Sequence, residues 1–371
     1  MLNKVHISDS KINVCFLTCY TRVFYVNLPV MKKYNLTGLD LSECEQFAIE
    51  IGEKHFRGRQ LFSWLYTKGA RDFESMTDLS KTLRSKLIEN AQIGQVELIN
   101  TIKSNETNTQ KFLFKVSGGH FIESVYIPEK ERNTLCISSQ VGCALNCSFC
   151  ATGAMGFSRN LSVGEITDQL LFAQNYLQLK LTNIVLMGMG EPFMNYNNVI
   201  NAAKLISHEK GIAIGQKRIV ISTAGWVPAI IKFANEGYKF RLAISLNAAN
   251  KELRSKIMPV TKKYSLGELI NAVKYYYQKC RLRPTFEYVL LAGVNDSKTH
   301  AAELRNLIQD VPCKINLIPY NPIGDRFKRP SNEQISQFAE WLYPLRAPVI
   351  IRWSKGDDIK GACGQLAGDE Y

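Results

Sequence analysis

Three closely spaced cysteines carry the most specific chemistry in this sequence. Cys143, Cys147 and Cys150 form a C-x3-C-x2-C pattern, with Phe149 directly before the last cysteine. Zinc ribbons use two separated C-x2-C pairs and iron–sulfur clusters usually four cysteines, so neither common pattern is met. A four-iron cluster held by three cysteines would keep one iron open for a substrate or cofactor. A structural zinc ion with a distant fourth ligand is the alternative.

Two more cysteines lie in surroundings that suggest thiol chemistry. Cys363 falls in the glycine-rich stretch 355–366, which is typical of a flexible loop that can carry a thiol to a cofactor. Taken alone, a single cysteine in a glycine-rich tail is more often inert. Cys136 lies shortly before the metal-site cysteines, on the first strand of the predicted sheet, so we expect it near that site. Thiol–disulfide exchange needs only a thiolate and an accessible sulfur, which makes Cys136 a candidate partner for Cys363.

Glu123 is a carboxylate residue within an otherwise apolar predicted strand, residues 121–128. One interpretation is a water-facing glutamate on an edge strand. The other is a general base at the mouth of a barrel, where burial favours proton uptake. The sequence alone leaves both interpretations open.

The elements that must position these residues form a regular alternation. Strand-like runs are predicted at 134–140, 182–188, 218–223, 240–246, 285–291, 314–319 and 348–353. Amphipathic helices separate them, an order that implies a parallel sheet with helices outside. The length suits a barrel or an incomplete one. The predicted fold class is therefore α/β, a partial (β/α) TIM-like barrel with a small N-terminal helical accessory domain.

Polar or glycine-rich turns follow five of these strands. They lie at 188–192, 222–225, 245–247, 293–296 and 319–322. Each of them alone is typical of an ordinary turn between a strand and a helix. Barrel enzymes place their chemistry at the C-terminal ends of the strands, so the five turns together predict one pocket.

The chain divides into five predicted regions. Residues 1–33 are expected to be a poorly ordered extension, 34–100 a helical RNA-binding accessory domain, 101–130 a β extension, 131–355 the barrel, and 356–371 a C-terminal loop. In the helical domain, a capping box at 42–45 is predicted to begin the first helix and Gly52 to end it. Its basic residues suit an RNA backbone, although a solvated helical face is the alternative. They are Lys54, Arg57, Arg59, Lys68, Arg71, Lys81, Arg84 and Lys86.

The composition excludes several classes of protein. Of the 371 residues, 46% are hydrophobic and 21% charged, as in an ordinary globular protein and unlike a disordered one. The formal net charge of +13 suggests a polyanionic partner, most simply nucleic acid. Ten cysteines, several of them around a metal motif, indicate a reducing cytoplasm rather than a disulfide scaffold. The apolar stretch 14–30 is interrupted by polar residues, so we expect neither a transmembrane span nor a signal peptide.

The assembled motifs resemble those of a known superfamily and of one family within it. The cysteine spacing resembles that of radical S-adenosylmethionine (SAM) enzymes, in which the open iron takes the amino and carboxylate groups of SAM. Over about residues 34–368, the chain resembles the bacterial dual-specificity RNA methyltransferases, including the C-terminal Gly-Asp-Asp…Ala-Cys-Gly-Gln-Leu. This resemblance implies methylation of carbon 2 of adenosine 2503 in 23S rRNA and of adenosine 37 in tRNA. It also implies a [4Fe-4S] cluster and SAM as cofactors.

The same resemblance assigns roles to individual residues. Cys143, Cys147 and Cys150 would hold the cluster. Cys363 would be the methyl carrier, Cys136 the resolving thiol and Glu123 the proton acceptor. The SAM pocket would comprise Gly190, Glu191, Ser222, Ser245, Leu246, Asn247 and Asn321. Many relatives have histidine in place of Asn247, so SAM affinity is in question if the imidazole, rather than the backbone, makes that contact.

In the reaction that the resemblance implies, one SAM methylates Cys363 and a second yields a radical that activates the S-methyl group. The carbon radical then adds to the adenine, and Glu123 accepts the carbon-2 proton. Attack of Cys136 on the Cys363 sulfur releases the methylated RNA and leaves a disulfide. The implied partners are 23S rRNA, tRNA and a flavodoxin or ferredoxin-type electron donor, for a cytoplasmic monomer that contacts no membrane.

Two rival functions remain open at the level of the sequence. A related class of antibiotic-resistance methyltransferases modifies carbon 8 of the same adenine by the same chemistry. A non-catalytic RNA-binding protein with a structural zinc ion is the other rival. Analysis of iron and sulfide would separate the second rival from an enzyme of either regiochemistry.

Overall fold

The computed structural model describes residues 33–368, so nearly all of the predicted N-terminal extension lies outside the described residues. Within that range the α-helices are α1 Leu41–Glu50, α2 Phe56–Tyr66, α3 Lys81–Asn90, α4 Ala151–Ala154, α5 Val163–Leu177, α6 Tyr196–Ile206, α7 Val227–Glu236, α8 Lys251–Ile257, α9 Leu266–Cys280, α10 Lys298–Ile308 and α11 Asn332–Trp341. The strands are β1 Tyr34–Asn35, β2 Ala91–Gln92, β3 Glu97–Lys103, β4 Gln110–Val116, β5 His120–Glu129, β6 Arg132–Cys136, β7 Gln140–Gly142, β8 Phe157–Asn160, β9 Asn183–Leu186, β10 Ile219–Thr223, β11 Arg241–Ser245, β12 Thr285–Leu290, β13 Lys314–Pro319 and β14 Val349–Ile351.

Ten of these described strands form one sheet in the order β14-β13-β12-β11-β10-β9-β6-β5-β4-β3. The strands from β6 to β14 in this sheet pair in parallel and in chain order, with helices between them. Such an arrangement is the predicted partial (β/α) barrel. The strands β3, β4 and β5 continue the sheet by antiparallel pairing. The predicted β extension is therefore part of the same sheet as the barrel.

Helix α9 illustrates why the sequence forms these layers. Its buried residues Leu266, Leu269, Ile270 and Val273 recur at the spacing of one helical face. Ser265 caps its N-terminus, because its side chain accepts a hydrogen bond from the backbone N–H of Glu268. The apolar face is therefore directed into the main core, beneath the sheet.

The start of α1 differs from the sequence prediction. The capping box is formed by Asp40 and Glu43, and the predicted box at 42–45 is wrong. The Asp40 side chain accepts from the Glu43 N–H at 2.9 Å, and the Glu43 carboxylate accepts from the Asp40 N–H at 2.8 Å. Aspartate is as good an N-cap as serine, so the helix begins two residues earlier and includes Ser42. Gly52 follows the helix with a φ of 74°, as predicted for its end.

The N-terminal helical domain docks against α5 of the barrel. Arg71 forms an ion pair with the buried Asp168 of α5, so this residue of the predicted basic surface is engaged inside the protein. Asp168 also accepts a hydrogen bond from the backbone N–H of Val96 at 2.9 Å. At the start of α5, a Cβ atom on Gly164 would lie 2.3 Å from the Thr37 carbonyl oxygen. Only glycine allows the two domains to approach this closely.

The C-terminal segment, residues 355–368, leaves the edge strand β14 and crosses to β4 and β5. The ammonium group of Lys355 lies 3.1 Å from the Glu129 carboxylate at the end of β5. Farther along, Ala367 and Gly368 donate backbone hydrogen bonds to the Glu123 carboxylate in the middle of β5. The segment therefore spans the opening between the last parallel strand and the antiparallel part of the sheet. No helix within residues 33–368 is long and apolar enough to cross a membrane.

Candidate active site

The sequence-predicted pocket residues gather at one edge of the barrel. Gly190 and Glu191 follow β9, Ser222 lies near the end of β10, residues 245–247 end β11, and Asn321 follows β13. Because the strands are parallel, these positions share the C-terminal edge of the sheet. Gly190 has a φ of 101°, and a Cβ atom there would lie 2.5 Å from the Gln140 side chain. This position therefore requires glycine.

The cysteine loop connects β7 to α4 at the same edge. Cys143, Cys147 and Cys150 are free thiols that pack against Leu145 and Phe149. Burial raises the pKa of Cys143 to about 12, and it raises the pKa of Cys147 and Cys150 as well. Electrostatic interaction with the other two cysteines adds to the rise in the pKa of Cys147, so the three thiols are neighbours. Binding of iron would therefore displace protons from them.

The donor set suits an iron–sulfur cluster. Cysteine thiolates are the usual ligands of such clusters, and the three thiols of the loop are neighbours. The three cysteines therefore fit the cluster that the sequence predicts.

Glu191 links the end of β9 to the end of β10. Its carboxylate accepts hydrogen bonds from the backbone N–H groups of Phe193 at 3.1 Å and Ala224 at 2.8 Å. The side chain is almost fully buried, and desolvation raises the pKa of Glu191 to about 7. A carboxylate held between two strand ends, beside Cys143, is suited to bind an ammonium group.

Asn321 has a polar atom available to a ligand. Its Nδ2 donates to the carbonyl oxygen of Cys363 at 3.1 Å. Its Oδ1 is buried and has no hydrogen-bond partner among the described residues. Buried polar atoms are nearly always hydrogen-bonded, so this oxygen marks a place where a bound molecule would donate to the protein. The predicted SAM pocket contains such a place.

Asn247 adopts a left-handed backbone conformation with a φ of 58°. Asparagine tolerates this conformation better than most residues do, and β-branched residues tolerate it poorly. Its Oδ1 accepts from the Val289 N–H at 2.9 Å, and its Nδ2 contacts the Met258 sulfur. The buried Asn295 donates to the Asn247 carbonyl oxygen at 2.8 Å. The Asn247 side chain is thus used inside the protein, which favours a backbone contact with SAM at this position.

The two cysteines of the predicted thiol pair lie close enough to interact electrostatically. Cys136 ends β6 and is buried, and desolvation followed by interaction with Cys363 raises the pKa of the Cys136 thiol to about 12. Cys363 is solvent-accessible, yet desolvation by surrounding protein also raises its pKa. A side chain with both properties lines a cavity rather than a convex surface. Cys150 is among the groups that interact with Cys363, so the thiol pair adjoins the cysteine loop.

Backbone contacts hold the Cys363 region against the cysteine loop. The Ala151 N–H donates to the Gly364 carbonyl oxygen at 2.7 Å, and the Thr152 hydroxyl donates to the Leu366 carbonyl oxygen at 2.6 Å. Both donors belong to α4, which directly follows Cys150. The short helix therefore fixes the position of Cys363 relative to the metal-site cysteines.

Glu123 is fully buried on β5, between β4 and β6, so the interpretation as a water-facing edge residue is wrong. Its carboxylate lies 2.9 Å from the ammonium group of Lys111 on β4. The same carboxylate accepts the two backbone hydrogen bonds of the C-terminal segment, from Ala367 at 2.8 Å and Gly368 at 3.2 Å. Glu123 therefore joins the sheet to the segment that carries Cys363, and its role as proton acceptor stays a prediction.

Sequence reasoning missed several residues that shape this site. Lys111 alternates with apolar neighbours as an exposed lysine would, yet only 2% of its side chain is exposed. Arg254 lies in the polar stretch Lys251–Ile257 and is also buried. Gln140 begins β7, and its side chain accepts from the Glu191 N–H at 2.8 Å. Only the antiparallel register of β4 and β5 would have indicated that Lys111 lies near Glu123.

Comparison with known proteins agrees with this fold and site. Residues 137–304 match the radical SAM superfamily, and residues 34–93 match the ribosomal RNA large subunit methyltransferase N-terminal domain. A radical SAM methyltransferase from Sphaerobacter thermophilus is 41% identical, with a TM-score of 0.88 over 91% of this chain and 100% of that chain. The fold and the cysteine loop thus define a radical SAM enzyme, whose cofactors are a [4Fe-4S] cluster and SAM.

The relatives narrow this class further. The dual-specificity RNA methyltransferase RlmN of Francisella tularensis subsp. novicida (strain U112) is 46% identical over 348 residues, which cover 91% of this chain and 93% of the relative. The same enzyme from Francisella tularensis subsp. mediasiatica (strain FSC147) matches to the same extent. The chain belongs to the RlmN family of dual-specificity RNA methyltransferases. Neither the carbon-8 enzyme nor a non-catalytic zinc protein is favoured by these matches.

Proposed function

We propose that this protein methylates carbon 2 of adenine in 23S rRNA, at position 2503, and in tRNA, at position 37. The observation that carries the proposal is the grouping of Cys363, Cys136 and the three metal-site cysteines at one end of the barrel. A generic radical SAM enzyme has no need of two additional thiols beside its cluster. Family membership supports RNA as the substrate.

Two thiols answer a specific chemical difficulty. Carbon 2 of adenine is not nucleophilic, so it cannot take a methyl group from SAM by polar displacement. The Cys363 thiolate can, because sulfur is a good nucleophile once deprotonated. The bound cluster and SAM supply the one-electron chemistry that makes the resulting S-methyl group reactive. Cys363 thus carries the carbon that is delivered to the base.

Release of the product falls to two other residues. Glu123 accepts the carbon-2 proton of the adenine. Cys136 attacks the Cys363 sulfur, which forms the disulfide and breaks the bond between that sulfur and the transferred carbon. The electron pair of the broken bond passes to the carbon, which takes up a proton to become the methyl group. The disulfide must then be reduced by two electrons before the next cycle. The buried, free Cys136 beside the accessible Cys363 supports this order of events.

The cluster and SAM are assigned to the residues that fit them. Cys143, Cys147 and Cys150 hold three irons. Glu191 binds the SAM amino group, and Asn321 contributes its unpartnered Oδ1. The rest of the pocket comprises Gly190, Ser222, Ser245, Leu246 and Asn247. The regions 34–100, 101–130, 131–355 and 356–371 act respectively as RNA-binding domain, sheet extension, catalytic barrel and carrier loop.

The partners are proposed on chemical grounds. A flavodoxin or ferredoxin-type protein supplies the electrons, because the cluster needs a low-potential donor. The protein acts as a cytoplasmic monomer, in a compartment that keeps its cysteines reduced. The net charge of +13 favours contact with RNA phosphates.

Peptide mass spectrometry across Cys363, on protein purified with its cluster intact, tests the proposal. We expect an S-methyl group on Cys363, present at isolation or after incubation with SAM. A Cys363 that stays unmodified after incubation with SAM and reductant would overturn the carrier role. A nucleoside digest of the modified RNA then tests the regiochemistry, with 2-methyladenosine expected and 8-methyladenosine as the contrary result.

A further inference from the structure

Arg254 is a fully buried arginine that ties the ends of two pocket strands together. It lies on α8, and only 1% of the residue is exposed. Its Nε donates to the Leu246 carbonyl oxygen at 2.9 Å, and its Nη2 donates to the carbonyl oxygens of Ala224 at 2.7 Å and Ser245 at 3.1 Å. Its Nη1 donates to the Thr261 hydroxyl at 2.8 Å. The guanidinium group is thus held in one position by both strand ends.

All of these acceptors are neutral. Among the ion pairs within residues 33–368, none involves Arg254, so no described carboxylate compensates its charge. Removing a cation from water without a counter-charge is strongly unfavourable, even after the protein relaxes around it. A neutral glutamine or methionine would avoid that cost. An uncompensated buried charge of this kind indicates that a negatively charged group binds nearby.

The cysteine loop is attached to the helix that carries Arg254. The Ser148 N–H donates to the Ile257 carbonyl oxygen at 3.0 Å, which attaches the loop to the end of α8. Leu145 and Phe149 of the loop share a small apolar core with Ile257 and Met258. Leu253, the neighbour of Arg254 in α8, and Cys147 of the loop both pack against this same apolar core. Desolvation lowers the pKa of Arg254 to about 10, so the side chain stays cationic at neutral pH.

We propose that Arg254 is a fixed positive charge that raises the reduction potential of the cluster held by Cys143, Cys147 and Cys150. Reduction adds an electron to a cluster that already carries thiolate charge. A nearby cation, screened only weakly in the protein interior, stabilises the reduced form more than the oxidised form. The inference rests on the proposed ligation of the cluster by these three cysteines. Arg254 acts as a positioning and charge-bearing residue and takes no part in bond formation.

The test is the midpoint potential of the cluster, measured by redox titration with electron paramagnetic resonance in the absence of SAM. Arg254→Gln removes the charge and is expected to lower the potential. Arg254→Lys keeps the charge and is expected to stay near the wild-type value, although it loses most of the hydrogen bonds. Equal shifts in both variants would show that Arg254 acts through its hydrogen bonds, and no shift in either would show that Arg254 does not influence the potential. Either result would overturn the inference.

A second pair of variants covers the case in which Arg254→Gln does not fold. Thr261→Asp would place a carboxylate where Arg254 now donates to a hydroxyl, which neutralises the charge and leaves the arginine in place. Thr261→Asn is the neutral control of the same shape. We expect the aspartate variant alone to lower the potential, and identical potentials in the two variants would refute the inference.

Failure of the underlying assignment would look different. If anaerobically reconstituted wild-type protein contained no iron and sulfide, the proposed ligation would be wrong. If the wild-type protein held the cluster and the variants that change the charge left its reduction potential the same, only the inference about Arg254 would be wrong.

Discussion

At the scale of single residues, Glu191 offers the clearest pH dependence. Burial raises its pKa to about 7, so its carboxylate is largely ionised at pH 8 and largely protonated at pH 6. A protonated carboxyl group binds the SAM ammonium group poorly. We therefore expect SAM affinity to fall roughly tenfold between pH 8 and pH 6, as follows from the ionised fraction of a group with this pKa.

Equilibrium binding of SAM to the cluster-loaded protein at the two pH values measures this effect. Glu191→Gln is the control, because an amide has no charge to lose over this range. The affinity of the Glu191→Gln protein for SAM is expected to be low and independent of pH. A wild-type affinity that stays constant from pH 6 to pH 8 would contradict the proposed contact.

Cys136 gives a second residue-level prediction. Cys136→Ala removes the thiol that we propose releases the product, and the RNA should then stay covalently attached to Cys363. Denaturing electrophoresis of reactions with labelled RNA would detect a protein band of increased mass that carries the label. Cys313→Ala, which removes a buried cysteine directly before β13, should give no such band. Free turnover by Cys136→Ala would refute the resolving role.

The residues that the sequence suggests for the site are those that belong to a local pattern. The cysteine spacing, the glycines around Cys363 and the polar turns all lie within short stretches that can be recognised without a fold. Arg254 and Lys111 could not be recognised in this way, because each looks like a surface cation. Their burial depends on strand register and on the position of α8, which are set by contacts between distant parts of the chain.

At the scale of elements, the C-terminal segment depends on a buried ion pair. Lys111 and Glu123 are 2% and 0% exposed, and Glu123 holds the backbone of the segment. Lys111→Gln would leave Glu123 as a buried charge without its cation. We expect a loss of about 3–5 kcal/mol in the free energy of unfolding, as is usual when one partner of a buried pair is removed.

Urea unfolding of the cluster-free protein measures this loss, and amide hydrogen exchange in residues 355–368 should rise with it. Lys355→Gln serves as the matched control. It breaks the ion pair between Lys355 and Glu129, whose side chains are 35% and 45% exposed, respectively. The free energy of unfolding should fall by about 1 kcal/mol or less. Equal losses in the two variants would show that the buried pair has no special role.

The sequence also predicted the elements themselves with some success. The seven predicted strands correspond to β6 and β9–β14, because runs of apolar residues bounded by turns identify buried parallel strands. The start of α1 was misplaced because two capping residues, Asp40 and Ser42, compete within three positions. The continuous pairing of β3–β5 with the barrel was not predicted. These strands would have the same sequence pattern whether they joined the barrel sheet or formed a separate extension.

At the scale of the whole molecule, the helical domain is locked to the barrel where Gly164 meets Thr37. Gly164→Ala adds a methyl group that would lie 2.3 Å from a carbonyl oxygen, although alanine favours the helix itself. We expect the two domains to separate, seen as faster proteolysis between residues 90 and 100 and as weaker RNA binding. Gly215→Ala, where the added atom meets no other within 4 Å, should leave both properties unchanged. If Gly164→Ala left both the proteolysis rate and RNA binding unchanged, the interface would have to accommodate the added methyl group.

The contact between Glu123 and the C-terminal segment has a consequence for the order in which the protein assembles. The two hydrogen bonds join residues separated by 244 and 245 positions in the chain, so they are among the most non-local contacts of the fold. Contacts of high sequence separation form slowly, because a long loop must close before they are gained. We therefore expect the barrel to form first, with the cysteine loop open to incoming iron and sulfide. The segment that carries Cys363 would then dock over a cluster that is already assembled. Cys363 would thus complete the assembly of the site before it takes its proposed part in the reaction.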